Sequence, residues 1–274
     1  MNMNEFKKLQ SVQMEIMDEV HRVCCENSIT YYIIGGTALG AVRHGGFIPW
    51  DMDIDIAMPR GDYERFAEIS KTALSQRYIY RDYKNTPNFM HPHALVCIKN
   101  TFLSNRFEYL NPKEENLGIY LDIFPLDEAP EDDSLQLQQS KDIQRIKRRK
   151  YYRRGFIYQK GFLKKAAKKT VSAIMSIYNI DKLNARFDTI CRRYEGTNSS
   201  FWCSMSSHYR YSKQCMPKTV YGTPQLVNFE GRQYYAPEQL DEYLTRIFKD
   251  YMKLPPEKER QANLGYFDKV VFDK

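Results

Sequence analysis

The chain lacks any uninterrupted apolar run near the ~20 residues that a membrane-spanning helix requires. The longest weakly polar stretch after the basic segment, 171–180, is far shorter. The first twenty residues carry charges throughout and have no apolar centre, so no secretory leader is expected. Cysteine is sparse: six residues, at 24, 25, 97, 191, 203 and 215, form no CxxC pair. With no leader, they read as reduced cytosolic thiols, and a small disulfide scaffold is excluded. Cys191, Cys203, His208 and Cys215 could only make a loosely spaced zinc set, since no CxxC or HxxxH pair is present. Tryptophan is rare (2), but 21 tyrosines, 15 phenylalanines and 27% charged residues exclude a disordered or collagen-like chain. There is no internal repeat and no low-complexity segment. At 274 residues the chain is long enough for one large domain, or for one domain plus an appendage.

One absence is local. Between positions 145 and 169 there are twelve Lys or Arg and not one Asp or Glu. The overall charge of +7 therefore divides into a mildly acidic body and one strongly basic stretch. Tyr151, Tyr152, Phe156, Ile157, Tyr158, Phe162 and Leu163 interleave with these cations, and 171–177 is largely apolar. That pattern suits an interfacial helix on an anionic membrane better than a solvated or packed helix face, and better still than a nucleic-acid site; no nucleic-acid partner is expected.

Residues 5–27 have helical spacing, with Leu9, Val12, Ile16, Val20 and Val23 on one face. ITYYIIGG reads as a buried strand ending at Gly35-Gly36, with Thr37 capping a short helix that Gly45-Gly46 closes. DMDIDIAM alternates with period two, which predicts a strand with Asp51, Asp53 and Asp55 on one face and Met52, Ile54 and Ile56 on the other. A helix over 60–74 follows. Strands are expected at 78–83, 94–98 and 118–124, the last stopped by Pro125. DEAPEDDSL reads as an acidic loop, the basic stretch and its continuation to Tyr194 as helix, and TPQLVNFEGRQYYAP as a hairpin turning at Glu230-Gly231. Pro237 starts a helix with Leu240, Leu244, Ile247 and Tyr251 on one face, and LPPEKER ends the compact part.

The chemistry sits in a glycine turn, an Asp-x-Asp-x-Asp strand and a later lone Asp122. Period two sets Asp53 and Asp55 side by side, where like charges repel unless a cation neutralises them. Shared Mg²⁺ ions are the usual solution and suit phosphoryl transfer. Asp122 in YLDIF is the candidate third acid. Gly35 and Gly36 let the backbone approach a phosphate, with the helix N-terminus at Thr37 aimed at it. Arg43 is a candidate phosphate contact and Asp51 a weaker metal ligand.

The block GGTALGAVRHGGFIPWDMDIDIAMPRGDYERF resembles the signature of the LicD family, relatives of fukutin. LDIFPLDEAP and FEGRQYYAPEQLDEYLTRIFKDYMKLPPEKER are similar to its second and C-terminal blocks. The resemblance implies an α+β, mixed α/β fold: a nucleotidyltransferase-type sheet flanked by helices, with a basic helical elaboration. It implies a single domain, with a catalytic core over 1–135, a basic helical segment over 136–195 and a C-terminal part over 196–274 that packs back on the core. It further implies metal-dependent transfer of a phosphoryl-alcohol group, phosphocholine first and glycerol or ribitol phosphate next. The donor would be a CDP-alcohol, the acceptor a sugar hydroxyl of a cell-surface glycan, possibly lipid-linked, and CMP would leave. Carried over, Asp53 and Asp55 bind Mg²⁺ or Mn²⁺, two ions in all, and Asp122 binds metal or acts as base. The expected place is the inner face of the cytoplasmic membrane, with 145–169 on the lipid. Where the family commonly has a further Asp, this chain has Met52; where it has Tyr-Gly-Asp, this chain has Phe248-Lys249-Asp250, and Gln261-Ala262-Asn263 stands where a His is frequent. The rival readings are nucleotidyl transfer from an NTP and a non-catalytic, membrane-attached glycan binder.

Overall fold

A computed structural model of the chain describes residues 2–105, 117–154, 162–260 and 267–272. Helix α1 (Met3–Glu26) opens on a capping box in which Asn2 Oδ1 accepts from Glu5 N and the Glu5 carboxylate accepts from Asn2 N. Its predicted face, Leu9 through Val23, is buried against the sheet. There follow β1 (Tyr32–Ile33), α2 (Gly35–His44), β2 (Asp55–Pro59), α3 (Arg60–Ala73), β3 (Tyr78–Arg81), β4 (Ala94–Ile98), β5 (Phe102–Asn105) and β6 (Tyr120–Ala129). The helices α4 (Asp133–Arg154), α5 (Phe162–Met175) and α6 (Ile180–Cys191) come next. The C-terminal part holds β7 (Phe201–Cys203), α7 (Tyr211–Gln214), β8 (Cys215–Pro217), α8 (Lys218–Tyr221), β9 (Gln225–Phe229), β10 (Arg232–Ala236), α9 (Leu240–Phe248), α10 (Glu257–Arg260) and β11 (Phe267–Val271).

The fold is mixed α+β. The main sheet runs β1-β2-β6-β4-β3, with β7 on β6 and β8 on β7. Only β2 and β6 are parallel; the other pairs are antiparallel. Helices α1 and α3 pack on this sheet. Ile143 and Ile146 of α4 meet Ile180, Leu183 and Phe187 of α6 in a second apolar cluster. Among the described residues no helix is long and apolar enough to cross a membrane.

Several expectations change in physical detail. The acid-rich strand starts only at Asp55, so Asp51 and Asp53 lie on the approach to β2 rather than in its ladder. The ITYYIIGG strand shrinks to Tyr32–Ile33, and α2 begins at Gly35 with Ile34 as its cap residue. Thr37 is therefore no cap; its Oγ1 accepts from Asp55 N at 2.9 Å, locking α2 to β2. Pro125 does not end β6: β4 pairs with 120–123 and β7 with 127–129, so the proline falls between two antiparallel ladders and leaves neither short of a donor. Asp127 accordingly belongs to the sheet and not to an acidic loop. It is buried in a two-point ion pair with Arg60 (Nε–Oδ1 2.7 Å, Nη2–Oδ2 2.9 Å). The chain also does not stop at LPPEKER, because β11 returns antiparallel to β5. Pro237 precedes α9 by three residues instead of opening it. The hairpin turns at Glu230-Gly231 as predicted, both with left-handed φ (52° and 74°).

Candidate active site

The site forms where the parallel pair β2–β6 begins. Asp55 and Asp122 are direct partners in that ladder, and Asp122 N donates to Ile54 O at 3.1 Å. Asp53 arrives from the segment before β2. One carboxylate oxygen from each of Asp53, Asp55 and Asp122 falls within 4.8 Å of the others. Asp53 is exposed, Asp55 half-buried and Asp122 buried, so the cluster opens to solvent through Asp53. Burial, and then the charge of Asp53, push Asp55 and Asp122 well above the usual carboxylate range. Asp51 joins the cluster by sharing a hydrogen bond with Asp53; burial first, then the Asp53 charge, raises it to about 9.

The two glycines make room for these acids. A Cβ at Gly35 would sit 3.2 Å from Asp55 Oδ2, and one at Gly36 would sit 2.6 Å from Asp51 Oδ2. Gly35 also has φ +55°, a conformation that side chains disfavour. Its N–H donates to the buried Tyr243 hydroxyl at 2.9 Å. Arg43 turns to the C-terminal part, where Nη1 donates to Tyr251 O at 2.9 Å. Met52 is buried away from solvent, as its place opposite Asp53 requires.

Some site residues escaped the sequence reading. His93 Nε2 lies 2.6 Å from Asp122 Oδ1, its ring stacked 4.0 Å from Phe124, and its Nδ1 is buried with no partner. Burial, then Lys150, Lys147 and His208, hold His93 down at about 3, so its ring is neutral. His91, His93 and Asp122 form a second set with ligand atoms within 4.8 Å, but the nearby Lys147 and Lys150 ammoniums oppose a cation there. The three-carboxylate set is the better metal site. Its donors are all hard oxygens, as Mg²⁺ and Mn²⁺ prefer, and its buried like charges need a cation to ionise together.

Lys147 and Lys150 correct the reading of the basic stretch as one lipid-facing surface. Lys150 Nζ is buried against Asn184 Oδ1 (2.6 Å), and Lys147 Nζ donates to Ser207 O (2.5 Å). Side chains of 154–165 lie outside the described residues. Of the loosely spaced cysteine set, Cys191, Cys203 and Cys215 gather in one buried apolar cluster. Cys203 and Cys215 face each other across β7–β8, but among the described residues no metal-holding group includes them.

Residues 28–144 match the family model described as LicD/FKTN/FKRP, nucleotidyltransferase domain. The chain belongs to the LicD family. It is 27% identical over 259 residues to the lipopolysaccharide cholinephosphotransferase LicD of Haemophilus influenzae, covering 94% of this chain and 95% of that protein. An uncharacterised protein of Rickettsia prowazekii is 33% identical over 117 residues, 43% of this chain and 40% of its own length. The stretch matched by the family model holds the glycine turn, all four acids and His93 of this LicD-family chain.

Proposed function

We propose that this LicD-family protein transfers a phosphoryl-alcohol group, phosphocholine in the first instance, from a CDP-activated donor to a sugar hydroxyl of a cell-surface glycan. Lipopolysaccharide is the first acceptor to test, because the Haemophilus relative carries that name. One observation carries the reading: Asp53, Asp55 and Asp122 converge within 4.8 Å in a chain that aligns nearly end to end with a cholinephosphotransferase.

Asp53, Asp55 and Asp122 would hold Mg²⁺ or Mn²⁺, two ions in all, with Asp51 in support through Asp53. When bound, such ions supply the positive charge that polarises the donor phosphate and eases departure of the nucleotide. In the reaction, the acceptor oxygen bonds to the phosphorus that bears the alcohol. The bond from that phosphorus to the bridging oxygen breaks, and its electron pair leaves with CMP. Asp122 takes the acceptor proton, with His93 orienting its carboxylate from 2.6 Å. Arg43, whose Nη1 donates to Tyr251 O and whose Nε donates to His44 Nδ1, contacts donor phosphate through Nη2.

The protein is further proposed to lie on the inner face of the cytoplasmic membrane. Val171, Ile174 and Ile177 follow one another at three-residue steps along α5 and just past its end, with Ile177 78% exposed. Arg145, Arg148, Tyr151 and Tyr152 line an open groove on α4. Apolar and cationic surface together suit anionic lipid. The activity test is CMP release from CDP-choline, CDP-glycerol and CDP-ribitol with a glycan acceptor, with Mg²⁺ or EDTA. Metal-dependent release supports the reading; no release with any donor, from protein that binds Mg²⁺ and nucleotide, overturns it.

A further inference from the structure

The face of α4 that turns inward carries Ile143, Ile146 and Lys150, and the half-buried Lys147 stands at its edge, where it also borders the open groove of Arg145, Arg148, Tyr151 and Tyr152. Lys147 ends on the loop over 204–209, where its Nζ meets Ser207 O. Among the described residues no carboxylate pairs with this ammonium, and burial lowers it to about 8. The same loop lies within electrostatic reach of the acids. The rings of His208 and Tyr209 lie 4.0 Å apart; His208 feels the charge of Asp53, and Tyr209 that of Asp55, Asp51 and Asp53. Lys147 is also close enough to His93 and His208 to act on both. Within this loop the hydroxyls of Ser204 and Ser206 are buried with no hydrogen-bond partner. Tyr209 N and Gln214 Nε2 both donate to Ser207 Oγ, which fixes the backbone between them.

A cation with no carboxylate partner among the described residues and two hydroxyls without a partner thus meet on a short loop whose His208 and Tyr209 feel a carboxylate cluster suited to metal. Carboxylates repel phosphate, so a diphosphate held by metal on one side needs donors and positive charge on the other. We propose that Lys147 and the 204–209 loop form the subsite for the donor's diphosphate, with Lys147 on a non-bridging phosphate oxygen and the Ser204 and Ser206 hydroxyls as further donors. The inference rests on the phosphoryl-transfer reading above. It assigns one member of the basic stretch to substrate and not to lipid.

Inorganic pyrophosphate with Mg²⁺ is the probe, followed by titration calorimetry on the full chain. Lys147→Met should weaken pyrophosphate binding at least tenfold with Mg²⁺ affinity unchanged, and Lys147→Arg should keep most of it. On the unaltered protein, pyrophosphate should protect Lys147 from amine acetylation read by mass spectrometry, whereas Mg²⁺ alone should not. Equal pyrophosphate affinity in Lys147→Met, or acetylation indifferent to pyrophosphate, overturns the subsite; if Lys147→Met does not fold, the acetylation result decides. Pyrophosphate held through Lys147 in a protein that releases CMP from no donor would sink the transfer reading and leave the subsite standing. CMP release with an unchanged donor KM in Lys147→Met would do the reverse.

Discussion

Asp55 and Asp122 stand directly opposite each other in the parallel ladder between β2 and β6. Two carboxylates fixed side by side on adjacent strands, with Asp53 a third, are a strained arrangement until a cation joins them. The strain is a cost to the fold and a benefit to the site. Asp55→Asn should therefore abolish transfer while raising the thermal midpoint of the metal-free protein by roughly 2–4 °C, the shift that ~1 kcal/mol produces in a domain of this order of size. Calorimetric unfolding in EDTA checks it, and a drop in midpoint would mean that the carboxylate is structural.

The same strain sets a pH dependence. Burial and Asp53 raise Asp51 to about 9, and Asp55 and Asp122 well above the ordinary carboxylate value. From about pH 4 upward to those raised values, the folded metal-free protein holds protons that the unfolded chain has lost. The folded state binds more protons, so stability falls as pH rises through this window. A divalent cation competes with those protons, and its stabilisation grows over the same range. Thermal midpoints measured between about pH 5 and pH 8.5 should decline in EDTA, and the gap to the Mg²⁺ curve should widen. A gap independent of pH would contradict the coupling.

Gly35→Ala tests the room made for the acids. The added methyl would meet Asp55 Oδ2 at 3.2 Å from a backbone at φ +55°. The expected result is a loss of ~1–2 kcal/mol in stability from the left-handed conformation, together with at least tenfold weaker Mg²⁺ binding by calorimetry. Unchanged metal affinity would show that the turn and the carboxylate are independent.

Lipid attachment separates from chemistry. Ile174 and Ile177 are 58% and 78% exposed, so replacing both with Ser should move stability by no more than ~0.5 kcal/mol per site. Binding to vesicles rich in anionic lipid should fall severalfold in a flotation assay, with CMP release from a soluble acceptor retained. Undiminished vesicle binding would remove α5 from the interface.

The site was legible in outline because its acids sit on a period-two pattern behind a glycine turn. Asp53, Asp55 and Asp122 converge as that pattern implied, and α1, β4 and the hairpin at Glu230-Gly231 lie where spacing and turn chemistry put them. His93 was hidden because His91-Pro92-His93 ahead of a strand is too short a pattern to fix a face; only the β4–β6 register brings His93 to Asp122. Lys147 had a signal that net charge obscured. Ile143, Ile146, Lys147 and Lys150 recur at three- and four-residue steps, the mark of one helical face, and the two isoleucines make that face the inner one. Pro125 misled for a different reason: whether a proline ends a strand depends on where its neighbours pair, and that is a tertiary fact.

The most direct measurement follows the two halves of the donor. CDP-choline labelled in the choline methyls, and separately in cytidine, is given to the protein with Mg²⁺ and a lipopolysaccharide acceptor that lacks phosphocholine. Transfer of phosphocholine predicts choline label on the glycan, cytidine label in free CMP, and loss of both signals in Asp53→Asn. Cytidine label on the acceptor, or full transfer by Asp53→Asn, would contradict the account.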